Sequence, residues 1–134
     1  MRSWVLLISS FSICAAAQDA VVPGEFLVDP PTIENLGFRW YLEGDDNRNA
    51  SVSVSYRRRS ERQWRTGHPM LRVKNEVANQ EYGPYRTGNL FAGSVMFLRP
   101  GTPYEVKFDM RDPDGGAPPP ESGCSSHAGR TGRF

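Results

Sequence analysis

The chain has 134 residues, 38% hydrophobic and 23% charged, with 16 Lys and Arg against 15 Asp and Glu. That length holds one domain of ordinary size, and the near-neutral balance provides no field to gather nucleic acid, an anionic membrane or an acidic polymer. With 11% aromatic residues and modest charge it is not a disordered chain either, because such a composition can bury a core.

Residues 1–17 open with the short, positive Met1-Arg2-Ser3, continue as the apolar run WVLLISSFSICAAA and end on three alanines. This is the pattern of a secretory signal peptide cut after Ala17, so the rest of the chain is expected to be secreted and extracellular, with no membrane contact after cleavage. The run is too short, and with Ser9, Ser10 and Ser12 too polar, for a spanning helix of about 20 apolar residues. Ile13 is too large for the position before a lipid-modified cysteine, which argues against an anchor on Cys14. Cleavage leaves Cys124 alone, so no internal disulfide can form and stability must come from the core. Lying between Gly123 and Ser125 with no base at catalytic spacing, Cys124 is better suited to intermolecular pairing than to nucleophilic chemistry.

Residues 18–29 read as a lead-in. From Leu36, LGFRWYL places Leu36, Phe38, Trp40 and Leu42 on one face and Gly37, Arg39 and Tyr41 on the other, a half-buried strand. The cluster Glu43-Gly44-Asp45-Asp46-Asn47-Arg48-Asn49 is turn chemistry. Ala50, Val52, Val54 and Tyr56 then alternate with serines and Arg57, the cleanest strand of the chain. A charged turn leads to Gln63-Trp64-Arg65, read as a short returning strand with Trp64 folded back over the sheet. Residues 71–89 read as an exposed connection with at most a weak strand near 71–73. The apolar run LFAGSVMFL over 90–98 carries Gly93, which marks a bulge or a close approach. After the break at Arg99-Pro100-Gly101-Thr102-Pro103, Tyr104, Val106, Phe108 and Met110 alternate with charged residues as another strand, and Asp112-Pro113-Asp114-Gly115-Gly116 is a strong turn.

No segment after residue 17 has apolar residues at helical spacing over helical length. The expected class is all-β, a two-sheet sandwich, with a core of Phe38, Trp40, Val52, Val54, Tyr56, Trp64, Leu98, Tyr104, Val106 and Phe108.

The stretch Leu98-Arg99-Pro100-Gly101-Thr102-Pro103-Tyr104-Glu105-Val106 resembles the L-x-P-G-T-x-Y-x-V signature of fibronectin type III domains, members of the immunoglobulin-like sandwiches. Pro30-Pro31-Thr32, Trp40, the Val52 to Arg57 strand and Trp64 follow the same order, so the resemblance covers residues 30–116. It implies a structural tyrosine corner, in which Tyr104 returns its hydroxyl to the backbone of the turn formed by Leu98, Pro100, Gly101 and Thr102. More finely, PTIENLGFRWYLEGDDNRNASVSVSYR, NLFAGSV and DPDGG resemble the module that precedes parallel β-helix repeats in secreted bacterial proteins, some of them polysaccharide lyases. That likeness implies a non-catalytic spacer or support, with a polysaccharide or a missing C-terminal β-helix domain as partner. Members of the family continue past the Asp-Gly-Gly turn with a last strand, whereas residues 117–134 here are rich in Pro, Gly and Ser. The last strand is therefore expected to be missing, the remainder a disordered tail or a frame artefact, and the strand from Tyr104 an unpaired edge.

Candidate chemistry is sparse. His68 and His127 have no second His or Cys at zinc spacing, and Ser94 lies outside any nucleophile elbow. Asp45 with Asp46 and Asp112 with Asp114 sit in turn composition and offer only fragments of a calcium loop or a glycosidic pair. The expectation is no enzyme, no metal and no cofactor. A rival reading is a carbohydrate-binding module that meets an anionic glycan through Trp64 and the 57–65 cluster of Arg57, Arg58, Arg59, Arg62 and Arg65, which Glu61 dilutes. Tyr82, Tyr85 and Phe91 form a candidate aromatic contact patch or simply loop packing, and Asn49-Ala50-Ser51 is a formal glycosylation sequon.

Overall fold

The computed structural model describes residues 18–81 and 83–118. The expected signal peptide, Tyr82, Cys124, His127 and residues 119–134 of the expected tail lie outside them. Among the described residues there are nine strands and no helix: β1 (Val22–Val28), β2 (Leu36–Glu43), β3 (Ser51–Arg58), β4 (Arg65–Thr66), β5 (Leu71–Lys74), β6 (Val77–Gln80), β7 (Gly83–Arg86), β8 (Asn89–Val95) and β9 (Tyr104–Arg111). All pairings are antiparallel. One sheet has the order β1-β2-β8-β5, a second β4-β3-β9, and β6 with β7 forms a separate hairpin.

Period-two patterning explains how the two sheets close on each other. Leu36, Phe38, Trp40 and Leu42 of β2, Val52 and Val54 of β3, and Tyr104, Val106, Phe108 and Met110 of β9 are all buried, while the alternating positions face outward. Phe108 joins the layers: its ring centroid lies 4.9 Å from that of Phe26 on β1 and 4.9 Å from that of Phe38 on β2. Gly93 is a close approach and not a bulge. The β2–β8 register runs unbroken from Leu36↔Val95 to Tyr41↔Leu90, and a Cβ on Gly93 would lie 2.8 Å from Met70 Cγ. The register irregularity falls instead in β1, between Pro23 and Phe26.

Several expectations need correction. The lead-in contains β1, which pairs with β2 and sends Phe26 against the core. Its Pro23 and Gly24 hide the strand, because proline and glycine are tolerated at an edge with a bulge. The 71–89 connection contains β5, which adds to the first sheet, and the β6–β7 hairpin. All four β7 residues are exposed, so no alternation could announce that hairpin. Its base is held by Thr87 N–H donating to the Glu76 carbonyl at 2.9 Å and Glu76 N–H donating to Thr87 Oγ1 at 2.8 Å.

Trp64 is not a core residue. The pairs Ser55↔Thr66 and Tyr56↔Arg65, continued by one residue, set Trp64 beside Arg57 on the outer face, and it is half-buried there. Phe26 and Phe91 supply aromatic core volume instead. Tyr56 is half-buried, packed against the core from its edge. Ala117, the first residue of the expected tail, is also half-buried against the core.

Among the described residues β9 pairs with β3 alone, from Ser51↔Arg111 to Arg58↔Tyr104. Among the described residues no strand occupies its other edge. β1, whose Phe26 packs on Phe108 of β9, carries Val28 at an inward position that is 41% exposed although its cross-strand partner Phe38 is 1% exposed.

Candidate functional site

The Trp64 face is built by the odd-numbered residues of β3 and β9. The Arg57 guanidinium carbon stands 4.5 Å from the Trp64 ring centroid and Lys107 Nζ 4.2 Å from it, a pair of cation–π contacts. Arg57 also donates Nε to Glu105 Oε2 at 2.7 Å. Glu61 accepts from Arg65 at 3.0 Å and lies 3.4 Å from Arg58 Nη1. Arg59 donates its backbone N–H to the Pro103 carbonyl at 3.0 Å, tying the end of β3 to the approach of β9. The basic cluster is therefore interleaved with Glu61 and Glu105, and a polyanion has to compete with both. The predicted aromatic patch is not brought together: Tyr85 is exposed on the β6–β7 hairpin, Phe91 is buried in the core, and Tyr82 lies outside the described residues.

At the turn before β9 the Tyr104 hydroxyl accepts the Arg99 backbone N–H at 3.0 Å, with the ring 3% exposed. Leu98 is buried and donates its N–H to the Glu34 carbonyl at 2.9 Å, while Thr102 Oγ1 donates to the Pro100 carbonyl at 3.3 Å. Gly101 has φ +63°, a left-handed conformation that glycine adopts without strain. These residues hold the chain as it enters β9. Tyr104→Phe keeps the ring and orphans a part-buried N–H, so urea unfolding should show a loss of about 1–3 kcal/mol.

A groove of about 220 Å³ opens where β4 and β8 end, lined by Tyr56, Thr66, His68, Ser94, Met96 and Phe97. Phe97 is 89% exposed with φ +58°, a conformation a bulky residue holds only under constraint from its surroundings. His68 and Ser94 share the groove, and among the described residues neither is hydrogen-bonded to the other. Nothing in the sequence pattern pointed to this groove, since it is assembled from two turns far apart in the chain.

The turn carboxylates are fully engaged. Asp45 is 0% exposed at φ +50°; its carboxylate accepts the Ala50 N–H at 3.1 Å and pairs with Arg72 Nε. Lys74 Nζ donates to the Asp45 carbonyl at 3.0 Å and to Asp46 Oδ1 at 2.5 Å. The Lys74 ammonium, with help from the Gln18 N–H, holds the Asp46 carboxyl below the usual carboxylate range. Asp114 is lowered in the same way by the Asn47 and Asn49 amides, each donating at 2.7 Å. Asp112 accepts the Val21 N–H at 2.6 Å. Among the described residues no group of three or more His, Cys, Asp or Glu is placed to hold a metal ion. By sequence Asp45 belongs to ordinary turn chemistry; its partner on β5 is 27 residues away and carries no local signal.

No protein-family model matches the chain, and no curated protein matches it in a sequence search.

Proposed function

We propose that this chain is a non-catalytic β-sandwich module of the fibronectin type III kind, exported from the cell, that acts as a spacer or interaction domain in an extracellular, polysaccharide-associated protein. Export rests on the composition of residues 1–17, and association with polysaccharide rests on the sequence resemblance. The observation that carries the module reading is that among the described residues no strand pairs with the second edge of β9, while Val28, at an inward position of β1, whose Phe26 packs on Phe108 of β9, is 41% exposed. In the fibronectin-like arrangement one more strand would pair with β9, and the tyrosine corner at Tyr104 supports that assignment. The rival, an anionic-glycan site at Trp64 and the arginines, has less support because Glu61 and Glu105 already hold that face.

The test is to append an alternating apolar and polar strand after Gly116. Pairing with β9 and covering Val28 should raise the melting temperature by about 5–10 °C, equivalent to one or two kcal/mol in a domain of this size. An unchanged melting temperature would overturn the reading.

A further inference from the structure

We infer that the edge of β9 left without a strand among the described residues pairs antiparallel with the same edge of a second copy, giving a two-fold dimer with one continuous six-stranded sheet, β4-β3-β9 followed by its symmetry mate. This rests on the module reading and names what occupies the open edge.

Three observations converge on it. First, β9 lacks several of the devices that blunt edge strands: it is eight residues long, contains no proline, pairs with β3 without a bulge, and turns only Tyr104, Val106, Phe108 and Met110 inward, so its outward charges alone guard the edge. Second, its outward residues alternate in sign: Glu105, Lys107, Asp109, Arg111. An antiparallel pairing centred on Phe108 sets Glu105 opposite Arg111 of the second copy and Lys107 opposite Asp109 of the second copy. The two-fold repeats both contacts, so every outward position meets the opposite charge. Sliding the register by two residues sets Lys107 against its own copy and Glu105 against Asp109, which is repulsive, so the charge order selects one register. Third, β3 meets only one of these charges, Glu105, through Arg57; Ser51, Ser53 and Ser55 stand opposite Arg111, Asp109 and Lys107, where Lys107 lies over the Trp64 ring, Asp109 pairs with Arg111 along the strand, and the Arg111 side chain is 78% exposed.

Sedimentation velocity of the purified full chain over a concentration series, with reductant present so that no cysteine cross-link contributes, tests this. The wild type should dimerise reversibly. Lys107→Glu, and separately Asp109→Lys, should each weaken the dimer by about tenfold or more with an unchanged far-ultraviolet circular dichroism spectrum. The double variant Lys107→Glu/Asp109→Lys, which restores opposite charges across the two-fold, should dimerise again. A wild type that stays monomeric throughout, or a double variant no better than the singles, would overturn the self-pairing. The strand-appended chain separates the two readings. If its melting temperature rises while the wild type is monomeric, self-pairing fails and the module reading stands. If the charge-swap pattern holds while the appended strand changes nothing, self-pairing stands and the module reading fails.

Discussion

Asp45→Ala is expected to cost about 3–5 kcal/mol, a large part of the roughly 5–15 kcal/mol that separates a folded domain from its unfolded chain. The carboxylate is 0% exposed and the Arg72 side chain 11% exposed, so removing the acid leaves a guanidinium inside the fold. What remains for it are neutral acceptors, the Val73 carbonyl at 2.7 Å and the backbone carbonyls of Leu90 and residue 45, each at 3.4 Å. Neutral acceptors do not offset the desolvation of a full charge. The same change removes the acceptor for the Ala50 N–H, which sets the start of β3. Urea denaturation gives the number, and two companion variants divide it. Asp45→Asn suits the left-handed backbone at φ +50° and removes only the charge, so it should retain part of the stability. Asp45→Ala with Arg72→Met removes both charges and should recover most of the loss, since the penalty lies in the unpaired cation and not in the absent bond. A loss below about 1 kcal/mol for Asp45→Ala would show that water reaches Arg72 in solution.

The second large effect is at Phe108. Its ring is 4% exposed and is the point where β9 touches both β1 and β2 across the sandwich. Phe108→Ala removes that junction and should cost about 3–5 kcal/mol, the range for emptying a buried phenylalanine site. Trp64→Ala is the control, because a reading by hydrophobicity alone would rank Trp64 at least as high. On the outer face it contributes cation–π contacts with Arg57 and Lys107 and partial burial, so its loss should be about 1 kcal/mol. Thermal or urea unfolding of the two variants side by side checks the assignment: equal losses would mean that Trp64 is more deeply packed than its half-buried position allows.

Why one aromatic was placed correctly and another was not comes down to register. Phe38, Trp40, Val52, Val54, Val106 and Phe108 sit in long alternating strands, where period two assigns a face to every residue at once. Trp64 lies just before a two-residue strand, too short to carry a pattern, and its side is decided by the pairing Tyr56↔Arg65 with β3. Phe26 was missed for a related reason: Pro23, Gly24 and a register shift interrupt the alternation of β1, while pairing with β2 still carries its ring to the core. The β6–β7 hairpin is exposed along β7, so the hydrophobic period that reveals strands had nothing to act on.

The candidate site divides in the same way. The contacts of Tyr104 with the turn before it are local, spanning five residues, and the motif around Leu98, Pro100, Gly101 and Thr102 is readable because each residue type answers to the turn's own geometry. The Asp45–Arg72 pair, the groove lined by Phe97 and the Arg57–Glu105 pair join residues distant in the chain, and charge alone does not say which acid meets which base.

By itself, then, the amino-acid order determined that this is an all-β chain with three strongly patterned strands, β2, β3 and β9, and a tyrosine-anchored turn, because period-two burial and turn chemistry act over a few neighbouring residues. Only the tertiary structure decided that β1 and β5 extend the first sheet, that Trp64 faces outward and that Asp45 is buried against Arg72. It also left one edge of β9 without a strand among the described residues. Each of these depends on which strands lie side by side, and that is a property of long-range pairing and packing.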